Sequence, residues 1–574
     1  MNRFIQFLKT FWLGLHWSKW VILCVITNVL VQHVVFRIDL TSEKRFTLAA
    51  ETRRLCNDLH DDVLIKVYLD GSINPGFNRL HKACEDLLNE CKQLNSKHFK
   101  IEFTTPSKDR TKEETAAVEK QLYEKGLIPE DVYVKSGDKS TAYKIFPGAI
   151  ISYKGREKVW PIFNRQSAGV PAEICINNSI EDIEYTLTNT IRKLQETKRK
   201  EITFLDGHGE LDTLQSYRFR SALAEYYNVN HTAITPGREL RALRGTDLLV
   251  IAQPDSVFTD REKYVIDQFI MQGGKTLWLI DPLSTNLDSL RKGFTLGLPR
   301  PLNIEDMLFK YGVRLNTGLL QDRQCGYLRI NVGYDKGQPR FELFPWLYSV
   351  LALPQSQHPI VRNLDLIKLD YCSTIDTVSA PGIQKTILLQ SSRYARVMPA
   401  PVRISLASVK FPPREAQLIN YNQPIACLLE GTFNSFTENR LPQALLQNPD
   451  FHHADVSLPN KMIIVADGDV ARNEINFSSR EILPLGFDRN TNQTFANATF
   501  LLNCVNYLLH DEALLNLRSR EVKLRLLDKK LIILKRLKWQ TLNVLVPLLS
   551  ILILGGTLYI LRKRKFENGA DSAN

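Results

Sequence analysis

The stretch "EITFLDGHGELDT", Glu201–Thr213, decides the fold. Glu201–Leu205 is a short apolar run, and within a few positions it gives way to Asp206, His208, Glu210 and Asp212, punctuated by Gly207 and Gly209. An apolar strand that stops at a glycine-rich polar turn fits a strand buried on both faces, whose loop carries the polar groups. The same texture returns at Asp247–Ala252, at Lys275–Ile280 and, far downstream, in "KMIIVADGD", Lys461–Asp469. Helical signals around Tyr217–Tyr226 and Asp260–Met271 separate the first three. The second of these has Thr259 and Glu262 at capping-box spacing and Gly273-Gly274 as its stop. Short apolar strands alternating with helices predict an α/β fold, with a parallel sheet covered on both faces.

Working outward, residues 178–317 read as the first part of this α/β domain and 455–510 as its last part, closed by a helix from Asn497 to about His510. The block 318–454 between them is rich in prolines, aromatics and alternating runs such as "QKTILLQ" and "QPIACLLEG", and reads as a β-rich insertion. A polar link, "NRQSAGVPAEICINNS", precedes an amphipathic helix from Ile180 to about Thr197. Ser179 is expected as its N-cap, with Asp182 in the capping-box neighbourhood. Residues 38–165 form a smaller N-terminal α/β domain of predicted helices at Ala49–Leu59, Phe77–Asn95 and Glu113–Lys125. Its strands are expected at Val63–Leu69 and in "FKIEFTTP", and its hairpin strands at Ala149–Tyr153 and Lys158–Ile162. That outline resembles a thioredoxin-like layout without the cysteines that redox work requires.

Two apolar runs bracket this body. Trp20–Phe36 carries no Lys, Arg, Asp or Glu, and Thr541–Leu561 is longer and more apolar. Each approaches the roughly 20 residues needed to cross a bilayer. No small-x-small cleavage site follows the first, which favours an anchor over a signal peptide. Trp12, Trp17, Trp20 and Trp539, four of the seven tryptophans, flank the two runs, where indole prefers the headgroup layer. Arg3, Lys9 and Lys19 before the first run and "RKRK", Arg562–Lys565, after the second place both termini in the cytoplasm. Residues 1–37 and 539–574 are then the anchors with their tails, in an inner, cytoplasmic membrane, and the body is extracytoplasmic. Residues 511–538 form a basic juxtamembrane stem, in which Arg518–Lys538 holds nine Lys or Arg against Glu521 and Asp528. That stem either lies near anionic headgroups or is a solvated helix face.

A chain of 574 residues, 44% hydrophobic and 24% charged, divides into several folded domains. Its mean hydropathy of −0.19 excludes a many-span permease. The net charge of +12 does not point to nucleic acid, because no basic face with interleaved aromatics and no recognition motif accompanies it. Cys24 falls in the first apolar run. The other eight cysteines show no CxxC or zinc spacing, and Cys84 and Cys91 share one face of a predicted helix as small core residues.

In an open parallel sheet, ligands bind outside the carboxyl ends of the strands. The predicted ends are Asp206-Gly207-His208-Gly209-Glu210, Gln253-Pro254-Asp255, Asp281-Pro282 and Asp467-Gly468-Asp469. Asp206, His208, Glu210, Asp281, Asp467 and Asp469 are therefore the candidate ligand-binding residues. The ends could form an acidic pocket with His208, and His208 with Glu210 could offer two oxygen or nitrogen ligands to a metal, though no metal site and no cofactor is assigned. No Ser or Cys stands at a G-x-S-x-G elbow, and no Walker motif or G-x-G-x-x-G loop is present, so no catalytic residue is assigned. Three readings stay open: acids that cap the following helices, a noncatalytic ligand pocket, and catalysis.

The segments "RIDLTSEKRFTLAAETRRL", "VYLDG…PGFNRL", "FLDGHGELD", "IDQFIMQGGKTLWLIDP", "NIEDMLFKYGVRLN" and "LRSREVKLRLLDKK" occur in this order from the first span to the second. Together they resemble the GldG family of gliding-motility-associated ABC transporter components of Bacteroidetes, with GHGE at Gly207–Glu210 as the family's mark. The resemblance implies an auxiliary or substrate-binding subunit acting with a permease-like partner (GldF-like) and a separate cytoplasmic ATPase (GldA-like). It also implies a Rossmann-like, amidotransferase-like module shared with intraflagellar-transport proteins and not known as an enzyme. The function expected is thus a membrane-anchored, noncatalytic transporter subunit. Its rivals are a membrane-anchored hydrolase of envelope glycan or peptide, working at Asp206, His208, Glu210 and Asp467, and a purely structural envelope scaffold.

Overall fold

The computed structural model describes residues 47–69, 75–106, 111–136, 139–163, 172–195, 199–235, 242–290, 293–335, 337–354, 358–362, 364–438, 453–476, 480–509 and 529–570. The expected span Trp20–Phe36 and most of the basic stem lie outside them. Two compact units divide at Glu521/Val522.

The body begins with α1 (Ala50–Asn57), β1 (Val63–Val67), α2 (Pro75–Leu94), β2 (Phe99–Phe103) and α3 (Lys112–Glu124). A hairpin follows, β3 (Glu130–Ser136) and β4 (Lys139–Ile145), then a second, β5 (Gly148–Tyr153) and β6 (Arg156–Pro161). The sheet order is β2-β1-β5-β6, with β1 and β2 parallel and the other pairs antiparallel. Val63, Ile65 and Val67 alternate onto one face of β1, where they meet Leu80, Cys84, Leu88 and Cys91 of α2. The turn of the second hairpin is tighter than the four-residue "KGRE" expected. Lys154 and Gly155, at φ 49° and 74°, make a two-residue connection.

The next helix corrects the sequence reading. α4 spans Ala172–Gln195, so it starts eight residues before Ile180, and Ser179 lies inside it instead of capping it. The Ser179 hydroxyl donates to the Cys175 carbonyl at 2.7 Å, one turn back. The apolar face of α4, with Ile176, Ile183, Leu187, Ile191 and Leu194, packs into the core of the N-terminal sheet. Its Glu184 accepts from the Ala49 N–H and the Thr52 hydroxyl, both at 2.7 Å, and so satisfies the start of α1, where alanine offers no cap.

The central sheet is built by β7 (Glu201–Asp206), β8 (Asn228–Ala233), β9 (Leu248–Ala252), β10 (Lys275–Leu279), β11 (Ile383–Gln390), β12 (Pro424–Gly431) and β13 (Asn460–Val465). Its order is β11-β12-β13-β10-β9-β7-β8. Five strands, β13 to β8, run parallel as the sequence texture requires. β12 and β11 are antiparallel additions, so the sheet is mixed, and two strands of the β-rich block 318–454 belong to it. The remaining strands of that block and its flanks form small antiparallel sheets, among them the long hairpin Cys325–Asp335/Gln338–Ala352.

Strand alternation sorts the core into two layers. Ile202, Phe204, Leu248, Val250, Leu277 and Val465 face α5 (Tyr217–Ala224) and α7 (Asn497–Leu508). Leu249, Ile251, Trp278 and Ile464 face α6 (Asp260–Met271) and the short helix Glu305–Lys310. Each such side chain contributes about 1.5–3 kcal/mol relative to exposure. From β7 the chain steps outward to β8 and then crosses back to β9. The strand order therefore reverses between β7 and β9, the point at which an open parallel sheet is expected to leave a crevice beyond the carboxyl ends.

The second unit is described through α8 (Lys529–Ala570), in which Lys535–Leu561, 27 residues, is long and apolar enough to cross a membrane, its most apolar 18 residues having a mean hydropathy of 2.4. Pro547 lies inside it.

Candidate functional site

The loop after β7 does not simply open into the crevice. Gly207 and Gly209 take φ of 119° and 72°, and a Cβ on Gly209 would lie 1.9 Å from Asp255 Oδ1. The tight turn and the close approach both demand glycine. Between them His208 is 4% exposed and stacks on Phe258, with ring centroids 3.8 Å apart and planes at 12°. Its N–H donates to Glu210 Oε2 at 2.7 Å, and its carbonyl accepts from the Asp255 and Ser256 N–H groups at 2.7 and 3.1 Å. Nδ1 lies 3.2 Å from Glu210 Oε1 and Nε2 lies 3.3 Å from Glu262 Oε1. Glu262 is the N3 residue of the α6 capping box, which forms as its Thr259–Glu262 spacing predicts.

Burial opposes a charge on His208, but hydrogen bonds to Glu210 and Glu262 and their negative charge outweigh it, and its pKa is raised. Burial likewise pushes Glu262 up, yet its bonds from Thr259 and His208 hold it below the usual range. GHGE thus forms a clasp that ties the loop after β7 to the loop after β9 and to the start of α6.

Asp206 turns away from this clasp. It faces the edge strand, 2.8 Å from His231 Nδ1 and 3.9 Å from Arg220.

Asp281, Asp467 and Asp469 do come together. Asp281 Oδ1 accepts the Gly468 N–H at 2.7 Å, and Oδ2 accepts from Gln253 Nε2 at 2.6 Å. The same Gln253 nitrogen donates to Asp469 Oδ1 at 3.0 Å. Gln253 reaches both from a left-handed backbone, φ 57°, a conformation that costs a non-glycine residue energy and recurs at functional sites. Asp467 Oδ1 accepts the Val470 N–H at 2.8 Å, while Oδ2 is buried with no hydrogen-bond partner among the described residues.

Burial raises all three carboxyls. Asp467 is pushed well above the carboxylate range by burial and then by the charges of Asp281 and Asp469. Asp469 reaches about 7 through burial and Asp281, with Arg472 opposing at 3.1 Å. Like charges crowded out of water hold protons, so the cluster carries fewer than three negative charges at neutral pH.

A pocket of about 150 Å³ opens over this cluster, with Gln253, Asp281, Arg300, Tyr371, Asp469 and Arg472 in its lining. It brings acids, guanidinium donors and an amide donor to one point beyond the strand ends. Arg300 enters from the 294–304 region, where its guanidinium also donates to the Pro254 carbonyl at 3.1 Å. Sequence reasoning missed Gln253, Arg300, Tyr371 and Arg472 as lining residues and Glu262 as a partner of His208. Arg472, one helical turn after Asp469, was the findable one, since that spacing pairs charges. No group of three or more His, Cys, Asp or Glu suited to hold a metal occurs among the described residues.

Residues 199–504 match the model of a family described as an ABC-type uncharacterized transport system, and residues 42–152 match a domain of unknown function. An uncharacterized protein of Borreliella burgdorferi is 20% identical over 349 residues, 59% of this chain and 60% of that protein, so the match spans less than two thirds of that relative. Among solved structures, the mmIFT52 N-terminal domain is similar at 14% identity and a TM-score of 0.30, over 54% of this chain and 97% of that domain.

Proposed function

The chain belongs to the ABC-type uncharacterized transport system family, matched over residues 199–504, and from that premise we propose that it is a membrane-anchored, noncatalytic auxiliary subunit of a GldG-like transporter. Family membership gives it a transporter-associated accessory role. On our reading the body is extracytoplasmic, hung between Trp20–Phe36 and Lys535–Leu561, and it works with a GldF-like permease and a GldA-like ATPase in a system of the gliding-motility type. Its Rossmann-like domain, residues 178–317 and 455–510, joined in one sheet by β11 and β12 of the intervening block, presents Asp281 and Asp469 to a small polar ligand, with Asp467 buried behind them, while His208 and Glu210 hold the crevice in shape. The observation that carries this reading is the family match over most of the body, in a chain that also bears an apolar helix of spanning length.

Purification of the full chain in mild detergent is expected to bring down a multi-span permease and an ATPase in fixed stoichiometry. Recovery of the chain alone at several detergent strengths counts against the proposal. The hydrolase reading draws on one observation, the neighbouring carboxyls Asp281, buried, and Asp469, half-buried and pushed up to about 7, since displaced pKa values mark acid–base pairs. Turnover of an envelope glycan or peptide that disappears in Asp469→Asn, with folding intact, would transfer the assignment to it.

A further inference from the structure

The opposite edge of the central sheet, where the strands begin, carries a different chemistry. A cavity of about 360 Å³ opens there, with Lys200, Arg244, Asp247, Gly273, Lys275 and Leu509 in its lining. Lys200 precedes β7, Lys275 opens β10, and Lys461 lies near the start of the neighbouring β13. Lys200 Nζ donates to the Leu509 carbonyl just past α7, and Lys275 Nζ donates to the Gly273 carbonyl at 2.6 Å just past α6. Lysines at helix C-termini are ordinary, because they meet the last carbonyls and the negative end of the helix.

What is not ordinary is the surplus of positive charge. Each ammonium has three donors and uses one on those carbonyls among the described residues. Arg244, whose guanidinium carries five donors, lines the cavity and has no hydrogen-bond or ion-pair partner among the described residues. Among the described lining residues the one carboxylate, Asp247, is tied to the fold through one of its oxygens, since Oδ2 accepts the Glu201 N–H at 2.8 Å. Lys461 is neutralised by Glu430 at 3.3 Å. Burial and then the positive charge of Lys200 hold Lys275 below its usual range, against the attraction of Asp247 and with Lys461 adding to the repulsion. Three cations thus border one concavity with a single carboxylate among the described lining residues, and one oxygen of that carboxylate is already bonded to backbone.

We propose that this cavity binds a phosphate-type oxyanion, either free phosphate or the phosphodiester of a lipid headgroup. A guanidinium fork matches two phosphate oxygens and two ammonium groups supply point charges, a donor set that a single carboxylate leaves half unused. The volume lies at the low end of ligand pockets and accepts a phosphate with a small substituent. This site is separate from the acidic crevice and stands whether or not that crevice binds anything.

The test uses the full chain in a maltoside detergent and phosphate-free buffer, with hydrogen exchange followed over residues 243–247 and 272–275. Inorganic phosphate is added in one arm, phosphatidylglycerol doped into the detergent in a second, and chloride at matched ionic strength in a third. Slowed exchange in the phosphate arm assigns the site to free phosphate, and in the phosphatidylglycerol arm to a headgroup. In either case Arg244→Gln is expected to weaken the effect about tenfold. Lys275→Gln serves as a second variant, and an unchanged urea midpoint for Arg244→Gln shows that folding is intact. Equal protection by chloride, protection unchanged in both variants, or no protection in any arm overturns the proposal.

Discussion

His208 is buried against Phe258 and reached by two carboxylates, so its removal leaves Glu210 and Glu262 facing each other without the cation. His208→Gln should cost roughly 3 kcal/mol in urea unfolding, in the range for breaking a buried pair by deleting one partner. A loss within experimental error would mean that the clasp is idle. The clasp also has a pH window. Because the folded pKa of His208 lies above 6.5, its stabilisation is complete below 6.5 and is lost as pH rises through the raised value. Glu262, held below 4.5, stabilises above 4.5 and loses that contribution as pH falls through the lowered value. The His208→Gln variant should therefore show a flatter alkaline limb in a plot of unfolding midpoint against pH. Asp467 works in the other direction. Its carboxyl titrates far above 3.8 when folded, so stability declines as pH rises above 3.8 and the unfolded chain ionises first. Asp467→Asn is expected to stabilise the body at neutral pH by about 1–3 kcal/mol, visible as a higher melting temperature that converges with wild type in acid. The acids themselves were legible, because loops at strand ends collect polar residues. The direction of Asp206 was also available from parity: it shares the face of Ile202 and Phe204, which α5 covers with Arg220. Arg300 and Tyr371 were not legible, because tertiary packing alone brings them to the cluster, whereas Gln253 stands at a strand end that the sequence already placed on this edge.

Elements whose ends are set by local chemistry were read closely, and those set by packing were not. α6 begins and ends where Thr259, Glu262 and Gly273 require. Thr259→Ala should cost about 1 kcal/mol as a lost cap. It should also couple to His208→Gln by roughly 1 kcal/mol in a double-mutant cycle, because Glu262 serves both. Additivity would separate the cap from the clasp. α4 shows the opposite case. Asn177, Asn178 and Ser179 have the composition of a helix start, yet the apolar positions Ile176 and Ile183 on either side pack into the N-terminal core and carry the helix through them. Ser179→Ala is thus expected to change stability by less than about 0.5 kcal/mol, where a true N-cap would lose about 1. β8 escaped notice for a related reason. "NVNHTA" is a half-exposed edge strand of low strand propensity that exists because β7 offers it a free edge.

For the whole molecule, the membrane reading makes a direct prediction. Deleting Lys535–Leu561 alone should leave the chain in the membrane fraction after an alkaline wash, held by Trp20–Phe36, and deleting both runs should release it. Release by the first deletion would leave only one anchor. The α/β class and the return of the late strand to the early sheet were readable from repeated strand-then-acid texture. The two antiparallel additions were not, since alternation looks the same in any antiparallel pair. The placement of β13 reaches further than shape. It inserts between β10 and β12, and its loop bonds to Asp281 from 187 residues away along the chain. A growing chain that has emerged only as far as β12 therefore has a parallel half and an antiparallel pair with nothing between them, each showing an open, apolar strand edge. Closing so long a loop places this step late and makes it slow. The interval before residues 460–465 arrive is when such a protein most needs a chaperone, and any nonsense or frameshift product ending inside that interval is destined to aggregate instead of folding in part.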